Sequence, residues 1–219
     1  MKLSPTRVGL THYATLAKGD GNEIEEIENP RFLRRFLGKL HHLSKSLSRK
    51  KFKSKNWYKA KRELQDFHVH LKNCRKDFAH KLSTQIVKSH DIIGVESLSV
   101  ALLMQSGQTR LARSIADAGW RQFFDCLTYK AKERGKALVP VDRWFASTQI
   151  CSGCGKKNHL QLSDRVLRCE CGLEIGRDVN SAINIKEEAL AIYRAAGMSV
   201  LKLVELSLEG SCEARISRL

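Results

Sequence analysis

Four of the seven cysteines stand in two short pairs, each followed by glycine. Cys151 and Cys154 form a Cys-Ser-Gly-Cys-Gly pair, and Cys169 and Cys171 form a tighter Cys-Glu-Cys-Gly pair after fourteen intervening residues. Four thiolates at this spacing suit a tetrahedral zinc ion, and glycine permits the tight turns that bring both sulfurs of a pair onto it. We predict a structural Zn²⁺ site, because a fourth thiolate leaves no position for a reactive water. His159 is the alternative ligand.

Two carboxylates stand where a strand is expected to end and a helix to begin. Residues 91–98 read as a buried strand that places Glu96 at its carboxyl end, and Asp178 precedes a helix expected over 179–196. Taken alone, Asp178 is explained as a helix N-cap, which is a common role for aspartate. Taken together, Glu96 and Asp178 are a candidate carboxylate pair for holding Mg²⁺ during phosphodiester cleavage.

The hydrophobic pattern indicates the elements that position these groups. Residues 7–17 are read as one strand leading to a turn at 19–21, and apolar spacings of three and four predict a long helical hairpin within 31–88. Residues 109–134 are read as a single helix, and residues 136–141 as the next strand. This alternation of strands and helices predicts an α/β fold.

The charge of the chain favours a polyanionic partner. The formal net charge is +16, and residues 31–81 contain seventeen Lys or Arg against three Asp or Glu. Such an excess favours binding to nucleic-acid phosphates. The candidate nucleic-acid-binding residues are Lys50, Lys51, Lys53, Lys55, Lys59 and Arg62. No apolar run approaches the roughly 18 residues that span a bilayer, and the first ten residues do not form a signal peptide, so we expect a cytoplasmic protein with no membrane partner.

Four stretches of the chain resemble TnpB (OrfB) proteins, which are transposon-encoded, RuvC-like, RNA-guided DNA nucleases historically described as transposases. The stretches are IENPRFLRR (27–35), GVESL (94–98), GWRQFFDCLTYKAKERGKALVPVDRWFASTQICSGCG (119–155) and DRVLRCECGLEIGRDVNSAINI (164–185). The resemblance implies an RNase H-like (RuvC) domain with a helical-hairpin insertion and an inserted four-cysteine zinc ribbon. It also implies that Glu96 and Asp178 are catalytic Mg²⁺ ligands, and that DNA and a guide RNA are partners.

The chain departs from the family pattern at the first metal ligand. The family's first strand carries an aspartate, as in Gly-Ile-Asp-Leu-Gly, whereas residues 5–9 read Pro-Thr-Arg-Val-Gly and place Arg7 there. A guanidinium at this position would repel Mg²⁺. Asp20 is a poor replacement, because it sits in the turn farther along the chain. The family's N-terminal region for guide and target recognition is not represented, so we expect a truncated member.

Three functions are therefore considered. The first is a catalytically impaired, transposon-associated DNA-binding protein, the second an active Mg²⁺-dependent endonuclease, and the third a zinc-ribbon nucleic-acid-binding protein without nuclease ancestry. We favour the first. The expected segments are a first RuvC-like strand region (1–30), the basic hairpin (31–88), a RuvC-like part with Glu96 (89–143), the zinc ribbon (144–175), a final helix with Asp178 (176–197) and a tail of unknown role (198–219).

Overall fold

A computed structural model of the protein describes residues 3–18, 23–105, 109–161 and 163–196. The predicted turn with Asp20 and the tail at 198–219 lie outside these residues. The strands are β1 (Leu3–Val8), β2 (His12–Lys18), β3 (Glu23–Glu28), β4 (Ile92–Glu96), β5 (Ala137–Val141), β6 (Val166–Arg168) and β7 (Glu174–Gly176). The helices are α1 (Phe32–Ser48), α2 (Lys55–Ser89), α3 (Val100–Met104), α4 (Thr109–Ala118), α5 (Trp120–Glu133) and α6 (Arg177–Ala196).

The first five strands form one sheet in the order β3-β2-β1-β4-β5. β1 is antiparallel to β2 and parallel to β4, and β4 is parallel to β5. Because β1 and β4 are parallel neighbours, their carboxyl ends lie at the same edge of the sheet. The predicted α/β fold is confirmed, and Glu96 ends β4 as expected.

Helices cover both faces of the sheet, since alternate residues of a strand point to opposite faces. Ile93 lies in a buried cluster with residues of α2 and α5, among them Phe123. Its neighbour Ile92 lies in a second buried cluster with Ile185 of α6. The continuous apolar run at the start of β4 is therefore explained by burial on both faces.

Gly94 allows α6 to lie close against β4. A Cβ added at Gly94 would lie 2.7 Å from the Cβ of Ala189 and 3.5 Å from the carbonyl oxygen of Ile185. Such close approach leaves no room for a larger residue without movement of the helix. It also fixes α6, whose first turn contains Asp178, against the sheet.

Two predicted elements are each divided in the structure. The expected strand over 7–17 is the end of β1, a turn and most of β2, because the N–H of Gly9 donates to the carbonyl of Tyr13 (3.2 Å). Leu10 in the turn keeps the apolar alternation that begins at Val8, so the pattern did not reveal the break. The expected helix over 109–134 is α4 followed by α5, because Gly119 between them has φ +66°, in the left-handed region.

The helical hairpin is inserted between β3 and β4. α1 packs on the first part of α2 through a cluster that includes Leu40, Phe67 and Leu71, whereas Ile86, near the other end of α2, belongs to the cluster at the sheet. At about 1.5 Å per residue, the start of α2 lies roughly 45 Å from Ile86.

Among the described residues, none of the helices combines the length and apolar character that crossing a bilayer requires. The boundaries of the sequence-based segments stay a prediction.

Candidate functional site

The four predicted zinc ligands meet in one cluster. Their sulfur atoms all lie within 4.8 Å of one another, with 3.7 Å between Cys151 and Cys171 and 3.5 Å between Cys154 and Cys169. Four sulfurs placed tetrahedrally at about 2.3 Å from an ion would be about 3.8 Å apart. The cluster can therefore hold a metal ion. His159, the alternative ligand, is not among the clustered residues.

Tight turns form both halves of the cluster. Gly155 has φ +74° and Gly172 has φ +90°, which is the left-handed region that glycine adopts without steric cost. Their N–H groups donate to the carbonyl oxygens of Cys151 and Cys169, each at 2.9 Å. A hydrogen bond from the backbone N–H of Cys171 lowers the pKa of the Cys169 thiol to about 6. The turns thus bring the four sulfurs together.

Buried amides of α6 hold the chain that leads into the first cysteine pair. The Asn180 side chain accepts from the N–H of Ser152 (2.9 Å) and donates to the carbonyl of Ile150 (2.7 Å). Asn184 donates to Ile150 and also to the carbonyl of Ser147, each at 2.7 Å. The asparagines that follow Asp178 therefore couple the cysteine cluster to α6. Sequence reasoning quoted these residues but gave them no role.

Arg7 and Asp178 form an ion pair at the edge of the sheet where β1 and β4 end. Nη1 of Arg7 donates to Oδ1 of Asp178, and the two side chains are 15% and 26% exposed. Thr6 of β1 pairs with Val95 of β4, so Arg7 and Glu96 are the next residues on neighbouring parallel strands. Both predicted magnesium ligands therefore lie near the same guanidinium.

Burial and charge act against each other in this centre. Burial raises the pKa of Glu96, and the positive charge of Arg7 opposes that rise. Burial lowers the pKa of Arg7, Glu96 opposes the shift, and the like charges of Arg177 and Arg165 add to it. A guanidinium remains protonated in proteins. The centre therefore contains a fixed cation beside its two carboxylates.

The loop between α1 and α2, with the adjoining helix ends, forms a basic surface that we call the hairpin tip (residues 45–62). It contains nine Lys or Arg and no Asp or Glu. All six candidate nucleic-acid-binding residues lie in it and are exposed: Lys50, Lys51, Lys53, Lys55, Lys59 and Arg62. Sequence reasoning missed Phe52 and Tyr58, which are 67% and 55% exposed. Their position in an otherwise lysine-rich polar stretch was the available signal.

Two family models and several relatives match the chain. OrfB_IS605, described as "Probable transposase", matches residues 8–107, and the Cas12f1-like TNB domain matches residues 120–185. A Streptomyces pristinaespiralis protein named "Putative RNA-guided DNA endonuclease" is 39% identical over 84% of this chain and 44% of its own length. The similarly named InsQ of Escherichia coli K12 is 34% identical over 92% of this chain and 50% of its own. This chain thus spans about half the length of these relatives.

Solved structures share the fold. A cryo-EM structure of a CRISPR-Cas12f ternary complex has a TM-score of 0.63 at 17% identity, over 84% of this chain and 38% of that one. A Cas12f1–sgRNA–target DNA complex has a TM-score of 0.56 at 17% identity, over 85% of this chain and 49% of that one. At this identity the likeness concerns the fold alone, and it agrees with the expected RuvC-like architecture. From the two family models, the relatives and the fold, we conclude that this chain belongs to the TnpB/OrfB family of transposon-associated proteins.

Proposed function

We propose that this protein binds DNA, and that its RuvC-like centre neither holds Mg²⁺ nor cuts DNA unaided. The observation that carries this proposal is the ion pair between Arg7 and Asp178. It occupies one of the two carboxylates on which a nuclease of this family would depend. In this proposal the protein belongs to a nuclease family but binds DNA without cutting it.

The residues of the centre do not fit a magnesium ion. Mg²⁺ in nuclease sites is held by carboxylate oxygens and waters in a near-octahedral arrangement. Glu96 and Asp178 are the family's second and third ligands by position, but Asp178 accepts a hydrogen bond from Arg7. The guanidinium also places a positive charge against the incoming ion. We therefore assign Glu96 and Asp178 as remnants of a catalytic pair, with no reaction step through a metal ion.

Zinc is the ion proposed for Cys151, Cys154, Cys169 and Cys171. Four thiolates with sulfur separations close to a tetrahedral edge match the preference of zinc. With all four positions taken by sulfur, the ion is structural and stabilises a segment that has only a small core of its own. Cysteines retained as metal-binding thiolates also fit a reducing compartment, which supports a cytoplasmic location.

DNA is the proposed partner of the hairpin tip, through Lys50, Lys51, Lys53, Lys55, Lys59 and Arg62. Their exposed charges can release counterions from a phosphate backbone, a contribution that is independent of sequence. A guide RNA is proposed as a second partner, because the relatives' names describe RNA-guided endonucleases and the Cas12f1 structure contains sgRNA and target DNA.

An active Mg²⁺-dependent endonuclease is the second candidate function. It is favoured by the placement of Glu96 and Asp178 at the same edge of the sheet and by the names of the relatives. The third interpretation, a zinc-ribbon protein without nuclease ancestry, is set aside because the chain belongs to the TnpB/OrfB family.

The deciding experiment measures DNA binding and cleavage on the same preparation of the full chain. Fluorescence anisotropy of the zinc-loaded protein, in buffer without added Mg²⁺ or Mn²⁺ and without a chelator, measures the affinity for labelled single- and double-stranded DNA. Gel electrophoresis after addition of Mg²⁺ or Mn²⁺ measures cleavage. We expect salt-dependent binding and no cleavage. Cleavage that Glu96→Ala abolishes would establish the second candidate instead, and absence of binding would contradict the proposed function.

A further inference from the structure

Three neighbouring aromatic rings cover the hairpin tip instead of entering a core. Phe52 lies in the loop, while Trp57 and Tyr58 lie in the first turn of α2. Phe52 and Tyr58 are 67% and 55% exposed, and among the described residues none of the three belongs to a buried cluster of the protein. Single exposed apolar residues are common on protein surfaces, but a contiguous patch of them rimmed by polar residues marks an interaction site.

The rings are held in a defined arrangement. The ring of Trp57 lies between the other two, with its centroid 5.1 Å from Phe52 and 5.1 Å from Tyr58, and both contacts are edge-to-face. The backbone below them is fixed, because the side chain of Ser54 accepts a hydrogen bond from the N–H of Trp57 (3.2 Å) as the N-cap of α2. The three rings therefore form one ordered aromatic cluster.

Lysines surround this aromatic cluster. Nζ of Lys53 lies 5.4 Å from the ring centroid of Phe52, and Nζ of Lys61 lies 5.1 Å from that of Trp57. One purely structural role for the rings would be to stabilise the end of the hairpin by packing on one another. That role leaves unexplained why Phe52 and Tyr58 remain more than half exposed among nine cations with no acidic residue. Aromatic rings beside a row of cations match the two parts of a nucleotide, its base and its phosphate.

We propose that the hairpin tip binds single-stranded nucleic acid by stacking unpaired bases on Phe52 and Tyr58. The surrounding lysines contact the phosphates on either side of the stacked bases. A duplex cannot use the rings in this way, because the faces of its bases are already stacked on their neighbours. This inference rests on the proposed function and adds to it a preference for single strands.

The test separates stacking from charge by changing the rings and leaving every lysine in place. Phe52→Leu and Tyr58→Leu, alone and together, are compared with the unchanged full chain. The probes are a labelled oligo(dT) single strand, the matching oligo(U) strand, and a DNA duplex of equal length. Anisotropy of the zinc-loaded protein, in buffer without added Mg²⁺ and without a chelator, is measured at several salt concentrations. It gives both the affinity and the dependence of log K on log [salt]. Tyr129→Leu on α5 is the matched control, because Tyr129 is also exposed (41%) and adjoins a lysine but lies outside the tip.

We expect the double variant to lose single-strand affinity while its duplex affinity and salt slope remain unchanged. A stacked base contributes roughly a 5- to 150-fold increase in affinity, so a loss of about tenfold or more is expected. Tyr129→Leu should bind as the unchanged chain does. The oligo(U) arm decides whether the stacked strand can be RNA as well as DNA.

Other outcomes overturn the inference and can be told apart from a failure of the proposed function. Single-strand affinity that stays unchanged in the double variant, or that falls in parallel with duplex affinity, refutes stacking but leaves DNA binding intact. Lys50→Ala with Lys51→Ala tests charge separately, and should weaken both probes and reduce the salt slope by about 0.7 to 0.9 per lost phosphate contact. If the unchanged chain binds none of the probes, the proposed function and the inference both fail. Circular dichroism melting checks that each variant is folded.

Discussion

Replacing Arg7 with aspartate is expected to convert the RuvC-like centre from one that repels Mg²⁺ into one that binds it. Arg7→Asp removes a positive charge, introduces a carboxylate beside Glu96 and releases Asp178 from its ion pair. All three changes favour the binding of a divalent cation at this centre. The prediction thus tests the placement of Arg7 directly.

The size of the effect follows from the exposure of the centre. The side chains of Arg7 and Asp178 are 15% and 26% exposed, so an effective dielectric constant of about 40, between the protein and water limits, is reasonable. At about 5 Å, a unit charge and a divalent ion then interact by about 3 kcal/mol. Removal of this repulsion alone corresponds to roughly a hundredfold increase in affinity. The new carboxylate adds to that increase.

The assay is isothermal titration of MgCl₂ into zinc-loaded protein. Arg7→Ala is the intermediate variant, because it removes the repulsion without adding a ligand, and it should bind more weakly than Arg7→Asp. Arg134→Asp is the matched charge control, because Arg134 is exposed at the end of α5 and precedes β5, away from the carboxyl ends of the strands. It should leave Mg²⁺ binding unchanged.

Two results would refute the reasoning. Equal Mg²⁺ affinity of Arg7→Asp and the unchanged chain would mean that residue 7 does not face the bound ion. Tight Mg²⁺ binding by the unchanged chain, lost in Glu96→Ala, would mean that the guanidinium does not prevent occupation of the site. DNA cleavage by Arg7→Asp but not by Arg7→Ala would further identify residue 7 as the missing ligand.

Three further changes test the cysteine cluster, the packing of α6 and the charge of Glu96. Cys169→Ser should reduce bound zinc, measured by plasma mass spectrometry, from about one ion per chain to nearly none, since a structural site needs all four ligands. Gly94→Ala should lower the free energy of unfolding in urea by about 1–3 kcal/mol, because its Cβ would lie 2.7 Å from that of Ala189; Gly38→Ala, with nothing within 4 Å, should raise it by up to about 1 kcal/mol. Glu96→Gln should raise the melting temperature near neutral pH, because burial raises the pKa of Glu96 and the ionised form therefore destabilises the fold. That gain should vanish as the pH falls below the unfolded carboxyl pKa of about 4.3.

Each of these changes has its own contradicting result. Cys169→Ser that retains zinc, in parallel with a Cys74→Ser control, would contradict the four-thiolate site. If Gly94→Ala and Gly38→Ala changed the free energy of unfolding equally, contact with α6 would not be the cause of the destabilisation at Gly94. A gain from Glu96→Gln that persists at acid pH would mean that burial of its charge is not the cause.

The cysteine cluster and the strand-end carboxylate could be predicted because short-range spacing determines them. Two closely spaced cysteines followed by a glycine turn can reach one ion wherever the turn lies in the fold. The position of Glu96 at a strand end could be predicted from the short apolar run before it, which is typical of a strand buried on both faces. The position of Asp178 needed only the start of a helix, although its partner is 171 residues away in the sequence.

Local patterns could not reveal features that depend on distant contacts or on the conformation of one residue. Leu10 keeps the apolar alternation with Val8 across the turn at Gly9, and helix-forming residues stand on both sides of Gly119, so neither break was predicted. The roles of Asn180 and Asn184 depend on carbonyl groups some thirty residues earlier in the chain. Exposure of Phe52 and Tyr58 could not be read from their hydrophobicity, because that property alone favours burial.

Under the proposed function, Arg7 provides the positive charge that a metal ion would otherwise bring to the centre. Burial raises the pKa of Glu96 despite the opposing charge of Arg7. A neutral residue at position 7 would remove that opposition and raise the pKa of Glu96 further. The guanidinium is held through Nη1 by Asp178, while its Nε is buried without a hydrogen-bond partner among the described residues. Under the proposed function, Arg7 therefore lets the fold keep both carboxylates at this edge of the sheet without a divalent ion.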